Sequence, residues 1–330
     1  MELGRFRRRN AGGQPLLVFE KELLMRCLLA LLSLCFVGCG TAQTGAVRID
    51  PALARLVPAR TILLAGVKVD DLRATDWYKR WAGQQPLPGL ESFASETGLD
   101  PRQDVSELLI ASDGVNTAVL ARGSFSPARI EVRLQRQGGR RMPCQGCTMV
   151  GNEQAAVAFL DSNTALAGRP AAIRLILGER GRSNGLPALL RSQLGAIPAQ
   201  NQVWIAAGGG FGELAKTAPQ TGNLSNLGRV FSMLESGSAG VDLRAGLRLF
   251  ATGVCHSEQD ARSLGDAVRG VVGLARLSTP LDAPELLKVC DAVQVEQRQR
   301  TVRVYVALSQ ELLDKALAKL PRGPGRASNE

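Results

Sequence analysis

Seven cysteines and a single histidine bound the chemistry open to this chain of 330 residues. Cys144-Gln145-Gly146-Cys147 has the spacing of a redox pair, a zinc half-site or a local disulfide. A redox pair wants its first thiol at a helix N-terminus, which stabilises the thiolate. Here Thr148-Met149-Val150 follows and reads as extended. Thr148 also excludes covalent haem attachment, which needs histidine at that place. Cys255 and Cys290 are the other candidates, either joining a four-cysteine metal site or bridging each other. Neither belongs to a second close pair, which weighs against zinc; the expected pairing is Cys144–Cys147 and, if the strand ending at Cys255 neighbours the one after Cys290, Cys255–Cys290, the alternative being two separately buried thiols.

Other candidates are weaker in type. Gly208-Gly209-Gly210 lies between an apolar run and a helix-like segment, where a glycine-rich turn can cradle phosphate. The sequence there lacks both the dinucleotide pattern and the Lys-Ser/Thr pair of a P-loop, so a permissive turn is the expectation. Trp77 and Trp81, at helical i, i+4 spacing, can pack in a core or form a binding patch. His256 has no Ser or Cys and carboxylate matched to it. Asp70-Asp71 and the Glu258/Asp260 pair read as acids at helix starts, favourable to the helix dipole, in preference to an acid/base pair. No catalytic set emerges, and no cofactor or metal is expected.

The elements that would position these residues repeat. Leu56-Val57-Pro58-Ala59-Arg60-Thr61-Ile62-Leu63-Leu64-Ala65-Gly66 is echoed 140 residues later by Ala196-Ile197-Pro198-Ala199-Gln200-Asn201-Gln202-Val203-Trp204-Ile205-Ala206. Each copy reads as a Pro-Ala turn, a strand and a helix-like stretch reaching Asp71-Leu72 or Glu213-Leu214. In the first copy, strands are predicted over Val105–Ser112 and Thr117–Gly123, around Asp113-Gly114. In the second, apolar residues at alternate positions from Val241 to Ala251 predict one half-buried strand over Ala239–Val254. Helices follow, from Ser126-Pro127 in the first copy and from the capping box Ser257-Glu258-Gln259-Asp260 in the second. Strands over Ala155–Leu160 and Thr164–Gly168, with a helix from Pro170, close copy one. A hairpin of Ala292–Gln297 and Thr301–Leu308, with a helix from Ser309, closes copy two. This order predicts an α+β fold of two repeated ferredoxin-like (βαββαβ-type) halves, residues 50–196 and 197–320, possessing one continuous sheet. Residues 321–330 read as a polar tail.

Before the repeats, Cys27–Val37 is a mostly apolar run of eleven residues, preceded by Met25-Arg26 and followed by Gly38-Cys39. It fits the apolar region of a signal peptide and is too short to span a bilayer as a helix. Phe36-Val37-Gly38-Cys39 resembles the lipobox of bacterial lipoprotein signal peptides, with Phe36 where leucine is usual. The resemblance implies cleavage before Cys39, acylation of Cys39 and a tether over residues 39–49. On this reading residues 25–38 are the signal peptide, and residues 1–24 are either a start-site over-extension or a long basic n-region carrying Arg5 and Arg7-Arg8-Arg9. Gly40 is not the aspartate used for inner-membrane retention in some bacteria, which favours the outer membrane.

The body also looks like uncharacterised exported bacterial proteins of two such halves. The likeness rests on Pro58-Ala59-Arg60-Thr61, Gly98-Leu99-Asp100-Pro101-Arg102 with Asp104, and the Cys255 segment. It implies no activity. The net charge is +10, with no basic block interleaved with aromatics, so nucleic acid is not an expected partner. The expectation is a membrane-anchored binding or envelope-assembly protein with an unknown envelope protein or ligand as partner. The alternatives are a thiol enzyme using Cys144/Cys147 and a carrier holding a small ligand between the halves in an apolar pocket.

Overall fold

The computed structural model describes residues 46–82, 91, 94, 95, 97–181, 186–212, 227–280 and 282–319. The signal segment, Cys39, Glu213-Leu214 and residues 321–330 lie outside the described residues, as does the side chain of Trp81.

Twelve strands form one sheet, and every named neighbour pair is antiparallel. At its centre β1 (Leu63–Lys68) pairs with β8 (Val203–Ala207). Outward from β1 run β2 (Val105–Ser112), β3 (Thr117–Gly123), β7 (Thr164–Gly168) and β6 (Ala156–Phe159). The hairpin of β5 (Cys147–Gly151) and β4 (Arg140–Cys144) extends that side to its edge. Outward from β8 run β9 (Leu234–Asp242), β10 (Leu247–Cys255), β12 (Thr301–Leu308) and β11 (Gln294–Arg298).

The continuous sheet is as expected, but the strand order differs from the ferredoxin-like one. In a split βαβ unit a third strand separates the first two, whereas here β1 pairs directly with β2 and β8 directly with β9. Each side instead begins as a meander of three strands, and its last two strands return as a hairpin in reversed order.

Helices cover the sheet where the sequence makes them amphipathic. α1 (Pro51–Ala54) is capped by Asp50, whose carboxylate accepts from the Ala52 N–H. α2 (Val69–Ala74) follows β1, and α3 (Pro101–Asp104) leads into β2. α4 (Pro127–Arg136) starts at Ser126-Pro127 as predicted and buries Ile130. α5 (Pro170–Glu179) buries Ile173 and Ile176 against Leu120 and Leu166. α6 (Ala188–Gly195) precedes β8 and α7 (Leu227–Met233) precedes β9. α8 (Glu258–Leu277) starts at Ser257, whose hydroxyl oxygen accepts from the Asp260 N–H at 3.0 Å. α9 (Pro284–Asp291) and α10 (Gln310–Lys319) follow.

The predicted single strand over Ala239–Val254 is two strands. Asp242–Leu247 turns through Gly246 at φ 96°, and β10 runs back along β9. The apolar alternation hides the turn because Leu243, within it, buries in the same cluster as Val241, Leu247 and Leu249.

Candidate functional site

The two sides of the sheet meet at a cleft of about 490 Å³, lined by Asp71, Ala74, Thr75 and Asp76 from one side and Ala199, Gln200, Gln202 and Arg244 from the other. The carrier alternative calls for an apolar pocket at the junction; this cleft is open and carries Asp71, Asp76, Gln202 and Arg244 on its walls. Its first wall exists because β1 passes directly into α2, placing Asp71 in the first turn of the helix. Thr75 ends that helix, its hydroxyl donating to the Leu72 carbonyl at 2.7 Å.

The second wall is a buried polar network. Gln202 is 1% exposed. Its amide donates to the Gln200 carbonyl at 2.6 Å and to Asp242 at 3.3 Å, while its side-chain oxygen accepts from the Leu243 N–H at 2.7 Å. Asp242 is 4% exposed and accepts two parallel bonds from Arg244, Nε to Oδ1 and Nη2 to Oδ2, both at 2.9 Å. Burial pushes the Asp242 carboxyl up, but the Arg244 and Gln202 hydrogen bonds outweigh it and hold the carboxyl below its ordinary range. The fork leaves the Arg244 guanidinium fixed at the cleft wall, with Asp71 close enough to add to its stabilisation. This wall can offer a donor to an acceptor on a ligand, while Asp71 and Asp76 offer carboxylates.

The sequence candidates fall elsewhere. Cys144 and Cys147 are joined by a disulfide, Cα to Cα 5.2 Å, across the tight turn between β4 and β5. Neither stands at a helix N-terminus, the place that would activate a thiolate. Cys255 and Cys290 are both free thiols. The expected bridge assumed neighbouring strands, but β12 lies between β10 and β11. Cys255 sits beside the Arg300 turn, accepting no bridge there, whereas Cys290 lies in α9, before the end of β11 that pairs with Tyr305. Burial first, then nearby Asp260 for Cys255 and Asp291 for Cys290, pushes both thiols up, away from reactivity.

Gly208, Gly209 and Gly210 form the turn after β8. Gly209 and Gly210 take φ of 141° and 73°, and a side chain at Gly210 would strike Ile62. Conformation and packing account for these glycines. Trp77 is half-buried and packs against the cluster of Val241, Leu249 and Leu313. Asp70 pairs with Arg73, and Glu258 with Arg262, each within its own helix. His256 is exposed in the bend before α8. Among the described residues no group of three or more His, Cys, Asp or Glu is arranged to hold a metal ion, and no helix is long and apolar enough to cross a membrane.

The chain matches no protein-family model and no curated protein. Its fold is similar to solved structures of TP0453. Crystal form III superposes with a TM-score of 0.51 at 11% identity, over 83% of this chain and 99% of that one. Crystal form IV gives 0.46 at 9% identity, over 82% and 98%. The first likeness extends across nearly the whole of TP0453 and bears on the fold alone.

Sequence reading missed the cleft and its network. Gln202 lies inside the repeated segment, but the Asp242-x-Arg244 fork was absorbed into a supposed strand. The readable signal was Asp242-Leu243-Arg244-Ala245-Gly246, an acid, a base and a glycine at turn spacing.

Proposed function

We propose that this chain is an exported lipoprotein, held at a membrane through acylated Cys39, whose body binds a polar ligand or an envelope partner. The observation that carries the reading is Gly38-Cys39 directly after an eleven-residue apolar run and Met25-Arg26. More than one acyl chain on Cys39 would give stable attachment. The Cys144–Cys147 bridge supports export, because such bonds persist in oxidising compartments. The outer membrane is the favoured site. The cleft supports a binding role: it falls in the usual size range of ligand sites, both sides of the sheet build it, and its guanidinium is fixed in advance by a buried carboxylate. The Asp71, Asp76, Gln202 and Arg244 side chains on its walls favour a ligand with polar groups.

The body is further proposed to be a duplicated unit, residues 50–196 and 197–320. Two features support this. The strand order outward from β1 matches that outward from β8, apart from the added β4–β5 hairpin. The β1–β8 register is also symmetric about residues that the sequence echo makes equivalent.

The experiment is expression of the full chain and its Cys39→Ser variant in a bacterial host, with metabolic labelling by a fatty acid and membrane fractionation. The wild type should be labelled and pellet with membranes, and the variant should lose the label and leave that fraction. Equal partition of the two, without label on either, would overturn the anchor.

A further inference from the structure

From the stripe of arginines on α4 we infer that this face of the body lies on anionic phospholipid headgroups. From Ser126 to Asn152 the sequence holds Arg129, Arg133, Arg136, Arg140 and Arg141 against a single acid, Glu131. Arg129, Arg133 and Arg136 stand at i, i+4 and i+7, one face of the helix, and all three are exposed. The adjoining face buries Ile130 and half-buries Leu134 against Val105 and Phe125, so the stripe is fixed to the body, and Arg133, though exposed, also donates to the Ser95 carbonyl at 3.4 Å. Arg141, on the edge strand β4, is tied to α4 by its 3.0 Å pair with Glu131, which leaves no acid on the helix to balance the stripe. Exposed Val132 adds an apolar contact between the cations.

Arginine suits this surface because its planar fork takes phosphate oxygens two at a time. A bilayer fits better than nucleic acid. No aromatic occurs from Ser126 to Gln145 to stack on bases. The inference rests on the lipid-anchor reading only for bringing the body close to a bilayer; the charge and its placement stand without it. Electrostatic attraction of this kind adds with each basic residue and fades within a Debye length.

The test uses the chain from residue 39 onward carrying Cys39→Ser, so that neither the apolar run nor an acyl chain contributes, and sedimentation with vesicles of phosphatidylcholine alone or mixed with an equal part of phosphatidylglycerol. Binding should appear with phosphatidylglycerol and vanish as salt is raised. Adding Arg129→Gln, Arg133→Gln and Arg136→Gln should weaken partition by about a hundredfold. The same three-charge loss at Arg262, Arg269 and Arg276 on α8, each paired with an acid, should have a much smaller effect. Thermal melts of both triple variants confirm that the fold is kept. Equal losses in the two triple variants, unchanged binding in the first, binding to phosphatidylcholine alone, or tighter binding to a DNA duplex at the same salt would each overturn the inference. Because the anchor is absent throughout, these outcomes are separate from the fatty-acid labelling result.

Discussion

Ala65 on β1 stands directly opposite Ile205 on β8, and the two are equivalent positions in the echoed segments. The register on either side is symmetric about that pair. Leu64 faces Ala206 and Gly66 faces Trp204, so each segment sets its large residue against the small residue of the other. The fit is tight: Trp204 is fully buried, and a methyl group at Gly66 would overlap its indole ring. The central seam of the sheet is thus an antiparallel pairing of the two echoed segments, as the proposed duplication requires.

Gly66→Ala should therefore destabilise the protein by about 1–3 kcal/mol through overpacking. In a Trp204→Leu background the same change should cost at least about 1 kcal/mol less, because the ring it strikes is gone. Urea unfolding of the four proteins measures the coupling. Additive costs would show that the ring does not set the constraint at Gly66.

Much of this frame could be read from residues. Val105–Ser112 and Thr117–Gly123 were delimited correctly because Asp113 accepts from the Val115 and Asn116 N–H groups, an Asx turn that the sequence announces. α8 was placed by its capping box. The ferredoxin-like order was not recoverable as right or wrong from local patterns, since strand order depends on which edges meet and not on periodicity. The cleft was hidden for a related reason. Its parts, Asp71 on α2 and Arg244 in the β9–β10 turn, lie far apart in sequence and meet only through the β1–β8–β9 pairing.

The Asp242–Arg244 fork predicts a pH dependence. The folded carboxyl is held below its ordinary value by Arg244 and Gln202 despite burial. Its contribution is therefore present above the unfolded aspartate pKa of about 4 and is lost as pH falls through the lower folded value. Asp242→Asn should cost about 2 kcal/mol at neutral pH, since it breaks the fork and leaves a buried amide poorly matched to guanidinium. The variant should also lose less stability than wild type between neutral pH and pH of about 3. Urea unfolding at the two pH values checks this, and an unchanged acid sensitivity in Asp242→Asn would place the titration in another group.

The Cys144–Cys147 disulfide closes a very short loop between strands already paired by backbone hydrogen bonds. In the chain-entropy model such a loop contributes about 2 kcal/mol at most. A Cys144→Ser/Cys147→Ser variant should fold, lose no more than that, and bind phosphatidylglycerol vesicles as the parent does. Circular dichroism with urea titration gives the first two outcomes. Loss of the fold, or a drop much larger than the loop entropy allows, would mean that the hairpin depends on the bridge for its pairing.

Cys255 and Cys290 test the placement of α9 chemically. Cys255 ends β10, is fully buried and packs among Ala261, Leu264 and Val302, while Cys290 on α9 is half-buried. Cys290 precedes the Gln294 end of β11 and Cys255 lies at the Thr301 end of β10, so the two stand toward opposite ends of these strands. Under non-reducing, denaturing conditions iodoacetamide should label both, and peptide mapping should recover one disulfide, Cys144–Cys147. In the native protein at pH of about 8 the burial that pushes both thiols up should make alkylation slow, and slower at Cys255 than at Cys290. A recovered Cys255–Cys290 peptide would require their Cα atoms to come within about 7 Å. Cys290 precedes Gln294, which lies level with Tyr305 and Phe250, whereas Cys255 follows Val254 at the Thr301 end, so the bridge would overturn the placement of α9 against that register.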